Sequence, residues 1–338
     1  MRSYHLSPGA GIDSLTMVEG PEPRPARRQI LVKVAACSLN ARDLGIASGA
    51  YPSPLKPLVP LSDAAGEVVE IGPDVTRFVP GDRVVSCFFQ AWPGGRPTPA
   101  AASSALGGAL QGVLAEYVVI EEDGAVKCPE PLSLEEGATL PCAAVTAWHA
   151  VAEYGDVRAP DTILVLGTGG VSVFALQIGK LLGARVVALS SSAAKIERLA
   201  ALGADICLDY GADVDWGRTV AARTGGGVDH VVEVGGGATF ANSLAALRSW
   251  GKVSVIGGVG GAGTINPLAI LAKRANVQGI SVGSTEMAER LCAAIAAGGL
   301  RPVIDTVFPF AEARRAFAHL QRRDRLGKIV INLDQGAP

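Results

Sequence analysis

Residues 162–192 read TILVLGTGGVSVFALQIGKLLGARVVALSSS. Thr162–Leu166 is apolar after its first residue, as a parallel strand buried on both faces is. Gly167, Thr168, Gly169 and Gly170 follow as a turn, and about Val171–Leu182 reads as a helix that Gly183 ends. Ala184–Leu189 reads as a second strand, running into Ser190, Ser191 and Ser192. Strand, glycine turn, helix and strand make the first half of a dinucleotide-binding domain. The turn lets main chain approach a pyrophosphate, and the helix offers it free N–H groups and a positive dipole end. The motif is G-T-G-G-V-S rather than G-x-G-x-x-G, with Ser172 in the third glycine position. The plainer alternative is a βαβ crossover whose glycines only serve a tight turn. A membrane-spanning helix is excluded, because Gly167–Gly170, Gly179, Gly183, Lys180 and Arg185 interrupt the apolar run.

The end of the second strand bears on the cofactor. NAD-binding versions usually place an acid there for the ribose 2′-hydroxyl. Here the chain gives Ser190, Ser191, Ser192, Ala193, Ala194 and Lys195, and no acid comes before Glu197. Hydroxyls and a lysine suit a 2′-phosphate that an acid would repel. The expected cofactor is therefore NADP(H). The serines could instead cap the next helix, Ala193–Leu202, and the two roles are compatible.

At 338 residues the chain has room for two domains. A net charge of −2, with 18% charged residues, gives no sign of nucleic acid or an anionic membrane surface as partner. No positive segment followed by an apolar core opens the chain, so no signal peptide is expected. Six cysteines lie scattered without C-x-x-C pairs, which suits buried thiols in a reducing cytoplasm.

Residues 28–36 alternate as a half-buried strand, two more strands fall within 65–88, and Leu114–Ile120 makes another. Short strands with Gly and Pro turns indicate a β-rich first domain. Residues 91–112, rich in Ala, Gly, Pro and Ser, read as a loop or lobe. Beyond about 130, strands at 163–166, 185–189, 205–208, 229–234, 252–256 and 276–282 alternate with helical segments. That pattern predicts a doubly wound parallel sheet. A helix at 311–321 and a last strand, Gly327–Leu333, return to the first domain.

The chain resembles the medium-chain dehydrogenase/reductase superfamily over essentially its whole length. The resemblance rests on LVKVAACSLNARDL, PLVPLSDAAGEVVEIGPDVTRFVPGDRVV, TLPCAAVTAW, VLGTGGVS, LGAD before Asp209–Tyr210, and GKIVINL. It is most similar to the zinc-free quinone oxidoreductase-like branch. The implied fold is α/β: a GroES-like β-rich catalytic domain at 1–129 and 302–338, and a Rossmann doubly wound parallel sheet at 130–301. The resemblance also implies a cleft between them and a dimer, which we expect to form through strand 276–282, whose apolar edge is otherwise an aggregation hazard.

The departures from the zinc enzymes are informative. Those hold catalytic zinc with Cys in a C-x-x-D element, His in G-H-E, and a later Cys or acid. Here the first position is Asn40, ahead of Asp43; the second reads Leu61-Ser62-Asp63; only Cys142 remains at the third. An amide, a hydroxyl and one thiol make a poor zinc site. The segment expected to carry four structural cysteines, 90–112, has none. Without a Lewis acid, hydride addition to the activated C=C of a quinone or enone is easier than oxidation of a simple alcohol.

The resemblance carries over several site residues. Asn40, in the vacated ligand position, should turn its amide to the cleft, or else cap a turn. Arg42 could polarise a substrate carbonyl, or pair with Asp43 or Asp63. Tyr51 matches a tyrosine at the substrate mouth, and Thr146 a threonine that contacts nicotinamide. Phe88, Phe89 and Trp92 line an apolar pocket or belong to the core. The candidate catalytic residues are thus Asn40, Arg42, Asp43, Tyr51 and Thr146. The candidate cofactor residues are Gly167, Thr168, Gly169, Gly170 and Val171 at the turn; Ser190, Ser191, Ser192, Lys195 and Tyr210 at the adenosine phosphate; and Gly257, Gly258, Val282, Gly283 and Ser284 towards the nicotinamide. The expected function is a zinc-independent, NADPH-dependent reductase of a quinone, enone or related carbonyl. The alternatives are an alcohol dehydrogenase or ketone reductase of the same fold, and a non-catalytic NADPH-binding protein.

Overall fold

The structure, a computed structural model, describes residues 1–334 other than Pro52, Pro54, Val259 and Ala262. Two compact units divide it: Met1–Val145 with Gly283–Pro338, and Thr146–Val282. Segments 130–145 and 283–301, expected with the parallel sheet, group with the first unit. Thr285 Oγ1, for example, donates to Asp123 O at 2.6 Å.

The first unit opens with a hairpin, β1 (Arg2–His5) and β2 (Thr16–Glu19). Its main sheet has seven strands: β3 (Gln29–Ser38), β4 (Asp63–Ile71), β5 (Arg83–Ser86), β6 (Tyr117–Glu121), β7 (Ala125–Lys127), β14 (Ile304–Pro309) and β15 (Lys328–Asn332). The order is β14-β15-β3-β4-β5-β7, with β6 also paired to β3. β3 was expected to be half-buried; instead Lys33 is its one exposed residue. It lies mid-sheet, and helix Leu134–Gly137 packs against it. That helix starts as expected, with Ser133 Oγ accepting from Glu136 N–H at 3.2 Å. Ile30, Val32, Leu58, Phe310, Phe317 and Ile331 belong to this unit's core.

The second unit is a six-stranded, all-parallel sheet. Its strands are β8 (Thr162–Leu166), β9 (Arg185–Ser190), β10 (Ile206–Asp209), β11 (Val228–Glu233), β12 (Leu247–Val255) and β13 (Asn276–Gly279). The order β10-β9-β8-β11-β12-β13 is that of the dinucleotide-binding fold, with the chain reversing direction of growth beside β8. Central strands β8, β9 and β11 bury nearly every side chain, which is why β8 and the middle of β9 read as apolar runs, while β11 (VDHVVE) also buries His230 and Glu233. The last strand is shorter than the 276–282 expected: β13 stops at Gly279, and Val282 takes φ 51°. No described helix is long and apolar enough to cross a membrane.

Candidate active site

Three strand ends of the first unit converge on one buried cluster. β3 ends at Ser38, two residues before Asn40, which sits at the start of helix Ala41–Ser48. β4 begins at Asp63, opposite Ser38 in the ladder. β15 begins at Lys328, and Leu39 N–H donates to Ile329 O at 3.1 Å, which draws that strand end alongside Asn40. Lys328 Nζ donates to Leu39 O at 2.8 Å, to Asn40 Oδ1 at 2.6 Å and to Asp63 Oδ2 at 3.3 Å. Lys328 is 3% exposed, Asp63 0% and Asn40 9%. Asp63 also accepts from Ser62 Oγ at 2.6 Å and from Cys142 N–H at 3.3 Å. A buried ion pair persists only with such extra partners, because desolvation otherwise outweighs attraction. Sequence reasoning missed Lys328: in GKIVINL it reads as a surface lysine flanking an apolar strand.

Around this cluster lie the other candidates of the first unit. Asn40 N–H donates to Asp43 Oδ2 at 2.7 Å, and Asp43 is buried. Desolvation raises the Asp43 pKa to about 6 and the charge of Asp63 adds to it, against the lowering effect of Arg42, the Asn40 N–H and Lys328. Arg42 acts on Asp43 through its charge, with no ion pair between them among the described residues. Its guanidinium donates to Leu106 O at 2.8 Å and Gly107 O at 3.5 Å, and its Cζ stacks 4.5 Å from the Phe88 ring centroid. It therefore pins the 105–108 segment to helix Ala41–Ser48. Exposed Tyr51 lies on the same guanidinium, 5.8 Å from ring centroid to Arg42 Cζ. Phe88, Phe89 and Trp92 are all buried, with edge-to-face contacts at 4.7 and 5.7 Å between successive rings, so they are core residues.

A zinc ion does not fit the vacated position. Asn40 Oδ1 and Asp63 Oδ2 face an ammonium, which already supplies positive charge there. Of the three ligand positions only Cys142 carries a strong zinc donor; the other two hold the Asn40 amide and the Ser62 hydroxyl, which donates to Asp63. Among the described residues no three His, Cys, Asp or Glu side chains gather at ligand distance.

The second unit carries most of the cofactor candidates. Gly167 takes φ 76°, which a residue with a side chain rarely adopts, and its N–H donates to Leu189 O at 2.8 Å. Gly169 is the N-cap of helix Gly170–Leu181, and the space where a Cβ would stand on either glycine is open. Thr168 is buried and Val171 half-buried. Ser172 explains its place in the motif: it is buried, and its Oγ donates to Leu166 O at 2.6 Å, closing the turn with a hydroxyl. A nicotinamide dinucleotide fits this turn, with Gly167–Gly170 and the first turn of the helix to hold its pyrophosphate.

Ser190 ends β9 and pairs in register with Asp209 of β10. Tyr210 N–H donates to Ser190 O at 3.2 Å, and Gly211 packs beside Ser191, so 190–191 and 210–211 lie together. Asp209 turns its carboxylate to Gly211 N–H at 2.8 Å. Ser192 is the N-cap of helix Ala193–Ala201, yet its side chain makes no cap bond, so capping does not account for the serines. Ser191 and Tyr210 are exposed, and Ser192 and Lys195 half-buried.

Gly257 and Gly258 follow β12, and Gly235 and Gly236 follow β11. Gly236 takes φ 79°, and a Cβ on it would stand 2.7 Å from Gly258 Cα. The two loops therefore meet backbone to backbone. Buried Glu233, also missed from sequence, fixes this seam. Its Oε1 accepts from Gly235 N–H at 2.7 Å, Gly236 N–H at 3.0 Å and Thr239 Oγ1 at 2.6 Å, and its Oε2 from Ser243 Oγ. The Val282 carbonyl lies 2.7 Å from His149 Nδ1, which must carry the proton. Thr146 is buried in Val145–Trp148, between π-wound Leu140–Ala144 and His149–Tyr154. Gly283 and Ser284 fall in the first unit. A Cβ on Gly283 would stand 2.8 Å from Val145 Cγ1, and Ser284 Oγ caps helix Thr285–Gly298 by accepting from Met287 N–H at 3.2 Å.

Two family models match the chain: an alcohol dehydrogenase GroES-like domain over residues 26–130 and a zinc-binding dehydrogenase over residues 170–297. A zinc-type alcohol dehydrogenase-like protein of Schizosaccharomyces pombe is 42% identical, over 96% of this chain and 97% of its own. A chloroplastic quinone-oxidoreductase homolog of Spinacia oleracea is 30% identical, over 96% and 95%. A solved structure named as an NAD-dependent alcohol dehydrogenase aligns with TM-score 0.89 at 32% identity, covering 98% of this chain and all (100%) of its own. A mycobacterial protein solved with NADPH aligns with TM-score 0.83 at 28% identity, again over 98% and 100%.

Proposed function

Because this chain belongs to the medium-chain dehydrogenase/reductase family and is an oxidoreductase, we propose that it is a zinc-independent, NADPH-dependent reductase of quinones, enones or related carbonyls. The observation that carries this reading is the Lys328–Asn40–Asp63 cluster, a buried ammonium with an amide where the family's metal ligands are expected.

A bound nicotinamide dinucleotide supplies hydride from its ring. The chain's own residues do the rest. Gly167–Gly170 and the helix they open hold the pyrophosphate through main-chain N–H groups. Ser190, Ser191, Ser192, Lys195 and Tyr210 hold the 2′-phosphate, and the NADPH-bound mycobacterial structure is consistent with that choice. As hydride adds to the β-carbon of an enone, the electron pair moves to the carbonyl oxygen. Asn40 Nδ2 donates a hydrogen bond to that oxygen, and water protonates the α-carbon. In this reading Asp43 supports Asn40 through its backbone, and Arg42 shapes the wall of the site.

The proposal extends to a homodimer through edge strand β13, on which Val277 is exposed; Leu268 and Leu271 of the preceding helix, Pro267–Lys273, are exposed too. It also places the protein in a reducing cytoplasm, where its six free cysteines remain thiols. The second reading, an alcohol dehydrogenase or ketone reductase, draws on the names of relatives. One assay separates them: oxidation of NADPH and of NADH by purified protein with a quinone, an enone and a ketone. We expect NADPH with quinone or enone to be fastest. Preference for the ketone, or for NADH, sinks the corresponding part of the proposal, and no turnover with any pair leaves the non-catalytic binding protein.

A further inference from the structure

An ammonium has three N–H donors and no acceptor. At Lys328 all three are matched, by Leu39 O, Asn40 Oδ1 and Asp63 Oδ2. None is left for a substrate, so Lys328 is not an acid in the reaction. The consequence falls on Asn40. Only the oxygen of a carboxamide can face an ammonium, so the amide has one allowed orientation, with Nδ2 turned away. That nitrogen is buried and has no hydrogen-bond partner among the described residues. An unpaired buried donor is costly and calls for a partner that arrives. Positive charge at Oδ1 also polarises the amide and strengthens its N–H groups as donors. Lys328 is itself held in place, because Asp63 is anchored by Ser62 Oγ and Cys142 N–H.

Resting on the reductase reading, we infer that Lys328 is a positioning residue that sets Asn40 as the donor to the substrate oxygen. Its fixed charge bears on Asn40, which occupies a position where the zinc enzymes carry a ligand. The ligand class is a carbonyl or quinone oxygen that gains negative charge. The cluster polarises that oxygen through the amide rather than by direct contact with a cation.

The test neutralises the ion pair as a pair. Lys328→Met/Asp63→Asn is expected to melt close to wild type and to keep its KM for NADPH within twofold, while kcat with an enone falls at least tenfold. Asn40→Ala should lose as much, and the triple variant no more, because all three residues act as one unit. A second readout needs no turnover. The Asn40 side-chain ¹⁵N–¹H resonances, assigned by their loss in Asn40→Ala, should move in Lys328→Met/Asp63→Asn without substrate. Wild-type kcat in that variant, multiplying losses in the triple variant, or an unmoved amide resonance overturns the inference. If the pair variant does not fold, Lys328→Arg keeps the charge but not the three-donor geometry. It should lower kcat and move the same resonance, and wild-type behaviour there is equally fatal. Failure of the wild type to reduce any quinone, enone or ketone removes the reductase reading, and the amide resonance still decides whether Lys328 orients Asn40.

Discussion

Asn40 donates its backbone N–H to Asp43 Oδ2 at 2.7 Å, while the other oxygen of Asp43 is buried without a partner among the described residues. The carboxyl is thus half-satisfied, and burial raises its pKa from 3.8 to about 6. The folded state then binds a proton that the unfolded state has released. Stability from this group is present below pH of about 4 and is lost as pH rises through about 6. Asp43→Asn keeps the acceptor for Asn40 and cannot ionise. The stability of wild type relative to Asp43→Asn should fall by up to about 3 kcal/mol between pH 4 and 7. Denaturant melts of both proteins at several pH values measure it, and a flat difference would count against the raised pKa.

Lys195→Ala should raise KM for NADPH and leave KM for NADH nearly unchanged. A charge-assisted phosphate contact contributes roughly 1.5–3 kcal/mol, so the change should be about tenfold to a hundredfold. Ser190→Asp should go further and favour NADH, because the new carboxylate repels a 2′-phosphate and accepts from a ribose hydroxyl. Equal effects on both cofactors from Lys195→Ala would show that the serine-rich strand end has been misread.

Glu233→Gln should loosen the seam between 235–236 and 257–258. It removes the charge that three donors share at Oε1 and sets an amide NH₂ against Ser243 Oγ, at a cost of about 1–3 kcal/mol. A lower melting temperature together with a higher KM for NADPH is expected. Unchanged cofactor binding would mean that the seam stands apart from the cofactor site.

Metal analysis should find well under one zinc per chain, and chelators should leave activity unchanged, given the ammonium beside Asn40 and Asp63. Stoichiometric zinc with chelator-sensitive activity would falsify the zinc-independent reading.

Buried parallel strands such as β8 and β9 announce themselves in sequence, because a strand covered on both faces mostly carries apolar side chains. The hairpin β1–β2 was missed because β2 is exposed along its length and carries no pattern. β13 was overread because Ile280 and Val282 carry an alternating pattern past Gly279, and alternation does not reveal where ladder bonding stops. In the candidate site, Asn40 and Asp43 were legible by position. Lys328 was not: its burial depends on partners far away in sequence, and neither composition nor periodicity encodes that. The carbonyl contacts of Arg42 were not legible for a related reason, since they lie on a segment whose path the sequence leaves open.

The ion pair between Asp63 and Lys328 joins residues 265 positions apart, and this separation bears on biogenesis. At about 5–20 residues per second, a ribosome delivers the lysine roughly 13–50 s after the aspartate. Until then β3 and β4 can pair, but the acid at their junction lacks its cation. The unit that begins translation first is therefore the one that must finish last, and a nascent chain arrested before β15 would expose that defect as protease sensitivity of its early strands.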